Sequence, residues 1–221
     1  MGHPYWPLFD VAIRTPRLEV RYPDDSLLIE LATVAAQGVH DPDEMPFLAP
    51  WTRAKSPELE RSAFKHWWGH RASWTPENWH FVGAVVVDGS AVGVQDLFAR
   101  SFAVTKSVTT GSWLGRAHQG QGIGKEMRAA VLHLAFVTLG AQVAYSGAFE
   151  DNVASSEVSR SFGYVENGDE IVNREDKSAR VVRLKLARDR WERSRRDDIE
   201  IVGLEGCLDW FGATDVPNEG H

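Results

Sequence analysis

The stretch HQGQGIGKEM, His118 to Met127, puts three glycines ahead of a helix-forming run, KEMRAAVL. The first amides of a helix have no partner inside it, and they carry the positive end of its dipole. With no side chain at Gly122 or Gly124 to block approach, such amides can take phosphate oxygens. The same glycines could also serve a tight turn and nothing more. Two phosphate motifs fail on spacing. A Walker loop needs GxxxxGK followed by a hydroxyl, and Glu126 stands where that hydroxyl would bind magnesium. The fingerprint GxGxxG does not fit Gly120, Gly122 and Gly124, and antiparallel strands are expected ahead of them.

Other residues are weaker leads. His66 and His70 have the i, i+4 spacing of a metal pair, but no third ligand of the HExxH kind lies nearby. Aromatic packing is the better reading, and no metal is expected. Five of the nine tryptophans lie between Trp51 and Trp79. They suit a packed helix pair or an aromatic wall around an apolar substrate group. The segment from His40 to Glu44 concentrates negative charge in Asp41, Asp43 and Glu44. It reads as a solvated turn or as a rim that attracts a cationic amine.

The elements that would position these residues follow from period and punctuation. RLEVRYP, Arg17 to Pro23, alternates like a strand. Asp24 or Asp25 can cap a helix carrying Leu27, Leu28, Leu31, Ala32 and Ala35 at helical spacing. Val39 to Trp51 reads as an irregular loop, and Pro57 opens a helix to about Ser73. From Trp79 to Gly115 the period is two, which predicts three antiparallel strands with a hairpin at Asp88-Gly89. A helix from about Gln119 to Leu139 is closed by Gly140, and QVAYSGAF adds a strand. NVASSEVSRSFGY is a short helix; two more strands, a charged helix near Asp189 to Arg196 and a tail that can add an edge strand complete the chain.

Composition bounds the function. The 221 residues allow one large domain or two very small ones, with 43% hydrophobic and 25% charged residues as in globular proteins, and the element pattern reads as one α/β domain. A net charge of -7 argues against a general nucleic-acid binder. No apolar run approaches a membrane span, and the N-terminus does not resemble a signal peptide. Cys207 is the only cysteine, so no intrachain disulfide forms. Together these point to the cytoplasm.

Gln119 through Gly124 match the Q/R-x-x-G-x-G/A signature of the GNAT acyltransferases, which use acyl-coenzyme A. GSWLG before it resembles that family's fourth strand, and DNVASSEVSRSFGY after it resembles the family's N-x-x-S...GF/GY helix. TPRLEVR is similar to the opening strand of the branch that acetylates ribosomal-protein N-termini. The resemblance covers about residues 15 to 187; residues 188–221 would be a C-terminal helix and tail of one domain spanning 1–221. The combination WPLF...TPRL...GVHDP...MPF...PWTRA resembles actinobacterial members, which implies an acetyl or a succinyl donor. The fold implied is α/β (α+β): a mostly antiparallel, mixed sheet of six to seven strands, with splayed central strands and flanking helices.

The resemblance implies roles residue by residue. Main-chain amides from Gln119, Gly120, Gln121, Gly122, Ile123, Gly124 and Lys125 would hold the coenzyme pyrophosphate. Trp113, Leu114 and Gly115 would offer main-chain groups to the pantetheine arm. Asn152 matches a coenzyme-contacting asparagine, and Ser155 the hydroxyl that protonates the leaving thiolate; both types also cap helices. Many members carry a glutamate base on the fourth strand, but Val108 to Ser112 hold no acid. Asp96 is the base candidate, with Glu150, Asp151 and His118 as substitutes. A missing strong base mildly favours an α-amine, which costs about 1 kcal/mol to deprotonate at neutral pH, over a lysine at about 4.6 kcal/mol. A succinyl donor would need a cation, for which Arg53, Lys55 and Arg100 are candidates. The expected partners are acyl-CoA and an amine acceptor, a small molecule or a protein N-terminus or lysine. Exposed sheet edges suit a homo-oligomer. The alternatives are a non-catalytic acyl-CoA-binding module and a nucleotide-binding regulator.

Overall fold

The computed structural model describes residues 3–213, so the last eight positions of the expected tail lie outside the described residues. Nine strands form one open sheet: β1 (Ala12–Arg14), β2 (Glu19–Arg21), β3 (Asn78–Val87), β4 (Ser90–Arg100), β5 (Ser107–Leu114), β6 (Val143–Phe149), β7 (Val165–Arg174), β8 (Lys177–Ala187) and β9 (Glu200–Val202). Their order is β7-β8-β6-β5-β4-β3-β2-β1-β9. Neighbours run antiparallel except β5 and β6, which are parallel.

The helices divide between the two faces. α1 (Asp25–Gln37) and α2 (Glu58–Ala72) cover Val82, Ala84, Val86 and Val94. The opposite face buries Phe81, Val85 and Leu97 with α4 (Ile123–His133) and with Trp191, Ile199 and Phe211 from the C-terminal segment. α3 (Phe102–Thr105) is a single turn between β4 and β5. α5 (Val153–Ser161) follows β6, and α6 (Arg188–Trp191) follows β8. Side chains alternate along each strand, so a one-residue step moves a group from one face to the other.

Several local expectations hold. Asp88 and Gly89 both have positive φ, the conformation a tight hairpin requires. Asp24 caps α1 by accepting from the Leu27 amide at 2.8 Å. Other expectations need correction. The sheet has nine strands, not six to seven: β1 is a three-residue strand ahead of β2, and β9 is the edge strand expected of the tail. The helix expected from Gln119 begins at Ile123, since Gly120 and Gly122 have φ of +72° and +80° and cannot be helical. It passes into a π-helical turn at Leu134–Thr138. The charged helix near Asp189 is a single turn of α6 followed by a 3-10 turn at Glu192–Ser194.

Candidate active site

β5 and β6 pair only over Ser107–Thr109 and Val143–Tyr145. β5 runs on to Leu114 and β6 to Phe149 without pairing, so a gap opens between them. Gly115 donates to the Val92 carbonyl at 2.9 Å. Antiparallel bonding alternates, so Gly111 and Trp113, in step with Gly115, direct their main chain to β4. Ser112 and Leu114 direct theirs into the gap. Of the predicted trio, Leu114 therefore faces the gap through its main chain. The Trp113 indole packs against Trp51, with ring centroids 5.8 Å apart. Ser112 is an addition, found by register alone.

The glycine turn closes one end of the gap. Among the described residues, no acceptor meets the amides of Gly120, Gln121, Gly122, Ile123 or Gly124. The Lys125 and Glu126 amides both go to the Gly122 carbonyl at 3.2 Å. Lys125 thus lies beyond the free donors, and the Gln119 amide is taken by Arg116 at 3.3 Å. The Gln119 side chain donates to the carbonyls of Val39 at 2.7 Å and Leu114 at 2.9 Å, which fixes the turn to β5 and to the loop after α1. A Cβ on Gly124 would meet Val158 and Leu114 at ordinary contact distance, so only Gly120 and Gly122 demand glycine for their conformation.

A clamp holds this turn from behind. The Arg17 guanidinium bonds Glu126 at 2.6 Å and the Gln121 carbonyl at 3.1 Å, and Thr15 donates to Glu126 at 2.7 Å. Glu126 is buried; burial alone would raise its carboxyl, but the bonds from Thr15 and Arg17 hold it below the ordinary carboxylate value. The clamp joins residues 109 apart in sequence.

Asn152 caps α5: its side-chain oxygen accepts from the Ser155 amide at 3.1 Å. The Ser155 hydroxyl has no partner among the described residues. One turn on, Ser159 is fully buried and lies 3.4 Å from Arg128 of α4. Arg128 is also buried, at 2% exposure, yet its polar neighbours are neutral: Gln95, Ser159 and Ser112, at 3.4 to 3.5 Å, and Tyr164. Burial pulls its guanidinium below the ordinary value. Nothing in the sequence marked this residue: a lone arginine in KEMRAAVL reads as solvent-facing, whereas α4 is buried on nearly every side.

The candidate bases separate. Glu150 is bound by Arg180 at 2.6 Å. Asp151 takes two bonds from Arg174, at 2.8 and 2.6 Å, which hold its carboxyl below the ordinary range. His118 packs beside Gly115. Asp96 lies opposite Gly111 with its Oδ2 3.7 Å from where a Cβ there would stand, at the point where β5 and β6 part.

A second cavity, of about 500 Å³, lies between the acidic loop and the β7–β8 hairpin, lined by Asp43, Glu44, Asp151, Asn152, Arg174 and Glu175 among others. Arg53 spans its edge, binding Glu175 at 2.7 and 3.0 Å and the carbonyls of Pro42 and Glu44. Arg53 is therefore committed to the protein's own groups, while Arg100 lines a different cavity. No group of three or more metal-ligating side chains occurs among the described residues. Nor is any described helix long and apolar enough to cross a membrane.

The chain matches the family model for the acetyltransferase (GNAT) domain over residues 17–165. Solved structures share the fold. RimL, a ribosomal L7/L12 α-N-protein acetyltransferase in complex with coenzyme A, is 17% identical with a TM-score of 0.62, covering 80% of this chain and 97% of that one. The ribosomal-protein-S5-alanine acetyltransferase of Vibrio fischeri is 15% identical with a TM-score of 0.63, covering 82% and 99%. A GNAT-family acetyltransferase of Bacillus anthracis is 13% identical with a TM-score of 0.63, covering 80% and 99%.

Proposed function

The chain belongs to the acetyltransferase (GNAT) family, an acyl-CoA-dependent N-acyltransferase family, and from that premise we propose how its own residues divide the work. The pyrophosphate of the coenzyme sits on the free amides from Gly120 to Gly124, and the observation carrying this is that five consecutive donors lack an acceptor at a helix N-terminus. The pantetheine arm lies in the gap along Ser112 and Leu114. Asn152 holds the first turn of α5 so that Ser155 faces the departing thiolate as its acid. Asp96 takes the proton of the attacking amine. No metal is invoked, and 1–221 acts as one domain.

The acceptor is an amine drawn to the acidic loop, and a protein N-terminus fits best. The cavity beside Asp43 and Glu44 has room for an extended chain end, and an α-amine is deprotonated at low cost. The ribosomal-protein acetyltransferases that share the fold support the same class. A cytoplasmic setting suits such an acceptor. The exposed Val165 and Ile171 on edge strand β7 suit self-association.

Acetyl-CoA is the first reading for the donor. Succinyl-CoA is the second, favoured by the uncompensated charge of buried Arg128 beside Ser112. Titration of the protein with coenzyme A and ATP, followed by thiol release from acetyl-CoA and succinyl-CoA over peptides with free N-termini, tests the assignment. Gly122→Trp should abolish coenzyme binding. Unchanged binding in that variant removes the glycine turn from the site.

A further inference from the structure

The face of the sheet under α2 carries titratable side chains that the coenzyme site does not use. His66 and His70 lie one turn apart on α2 with Nε2 atoms 3.2 Å apart. The His70 ring lies against His80 of β3, centroids 3.8 Å apart and planes at 35°. His80 stacks in turn on Phe98, at 4.8 Å and 22°. His80 Nε2 stands 3.2 Å from Asp96 Oδ1. This is an ion-pair distance off the line of a good hydrogen bond, and neither buried atom has another partner among the described residues. Asp96 thus spans two environments. Its Oδ2 faces Gly111 at the gap, and its Oδ1 faces His80. Beyond His80 a cavity of about 570 Å³ is lined by His70, Phe98, Arg100, Ser107 and Thr109.

The reaction requires a proton to leave. An ammonium acceptor brings one proton more than the free amine. Once that proton is lost, the nitrogen lone pair forms the C–N bond, and the C–S bond breaks with its electron pair going to sulfur. Of the three original N–H protons the amide keeps one, the thiolate takes the equivalent of one, and one reaches solvent. A protonated Asp96 at the gap would stop the next turnover until it discharged.

We propose that His80 receives this proton from Asp96 and releases it into the cavity under α2, so that protons leave by a route separate from the coenzyme gap. The inference rests on the reading of Asp96 as the base. Oδ1–H of Asp96 gives its proton to Nε2 of His80. Nδ1, the nitrogen turned away from Asp96, gives one up to solvent. His80 is a relay that acts through Asp96 and does not touch substrate. The charged and titratable groups facing it are Asp96 and Arg100 from β4 and His66 and His70 from α2. His70 is pushed down to about 4, chiefly by burial and then by the like charge of His80 and His66, against the pull of Asp96. A neutral His70 sets no second charge against the His80 ring.

Rates measured from pH 5.5 to 9 with acetyl-CoA and an acceptor peptide test this in the full chain, with His80→Gln, His80→Ala and Asp96→Asn beside the wild type. The expectation is a tenfold or larger drop in kcat for both His80 variants, an altered pH profile, an unchanged KM for acetyl-CoA, and recovery of His80→Ala by added imidazole. Wild-type kcat and pH profile in both His80 variants, with Asp96→Asn impaired, overturns the relay and leaves the base in place. Wild-type kcat in Asp96→Asn removes the base and the relay together. NMR of the histidine ring nitrogens needs no acceptor: Asp96→Asn should move the His80 Nε2 signal, and an unchanged signal overturns the proposal.

Discussion

The Arg17 guanidinium binds the buried Glu126 carboxylate at 2.6 Å and, with the same group, the carbonyl of Gln121 at 3.1 Å. One side chain from the start of the chain thereby sets both the first turn of α4 and the loop before it. Five free amides can converge on one ligand only if that loop does not wander. Replacing Arg17 with Met strips Glu126 of its main partner. The expected cost is about 1–3 kcal/mol in denaturant unfolding, because a buried carboxylate is left poorly paired. Coenzyme affinity, read by calorimetry, should fall about tenfold, or about 1.4 kcal/mol.

Gly122 and Gly124 should respond differently to alanine. Gly122 has φ of +80°, with Arg17 3.3 Å from where its Cβ would lie. Gly122→Ala should therefore lower stability by about 1 kcal/mol and weaken coenzyme binding. Gly124→Ala meets only ordinary contacts and no positive φ, and should stay within about 0.5 kcal/mol of wild type.

Arg128 keeps a charge inside the protein with neutral partners. Methionine has similar volume and no charge to desolvate. Arg128→Met should unfold at a temperature equal to or above that of the wild type. If the guanidinium serves a donor carboxylate, the variant loses succinyl-CoA affinity about tenfold or more while acetyl-CoA affinity is kept. Equal loss for both donors excludes that role.

Acid should destabilise the fold through His70. Its folded value is near 4, below the ordinary 6.5. Between those values the unfolded chain holds a proton that the folded chain refuses, so stability rises with pH across the window and falls on acidification. The expected loss between pH 7 and pH 5 is on the order of 1 kcal/mol, after allowance for the ring's partial exposure. His70→Phe should flatten that part of the melting-temperature profile.

Arg53 ties the acidic loop to the β7–β8 hairpin through Glu175. Arg53→Ala should free the loop and raise the acceptor KM severalfold, with the coenzyme Kd unchanged. Steady-state kinetics with each substrate varied in turn separates the two effects.

What depends on neighbours in the chain is legible before folding. The Asp88-Gly89 hairpin, the cap at Asp24 and the glycine turn before α4 are set by φ preferences and hydrogen bonds spanning a few residues. The tertiary structure decided the rest. β1 is too short to show a period, and it exists because β2 on one side and β9, the edge strand expected of the tail, on the other supply its main-chain bonds. The spacing of His66 and His70 suggested packing among aromatics, and the structure adds His80 and Asp96 from two further elements. Arg128 and Glu126 look like surface residues of an amphipathic helix and are buried. Such pairings join distant segments, so they follow from how the sheet and helices bury their apolar faces and not from any local pattern.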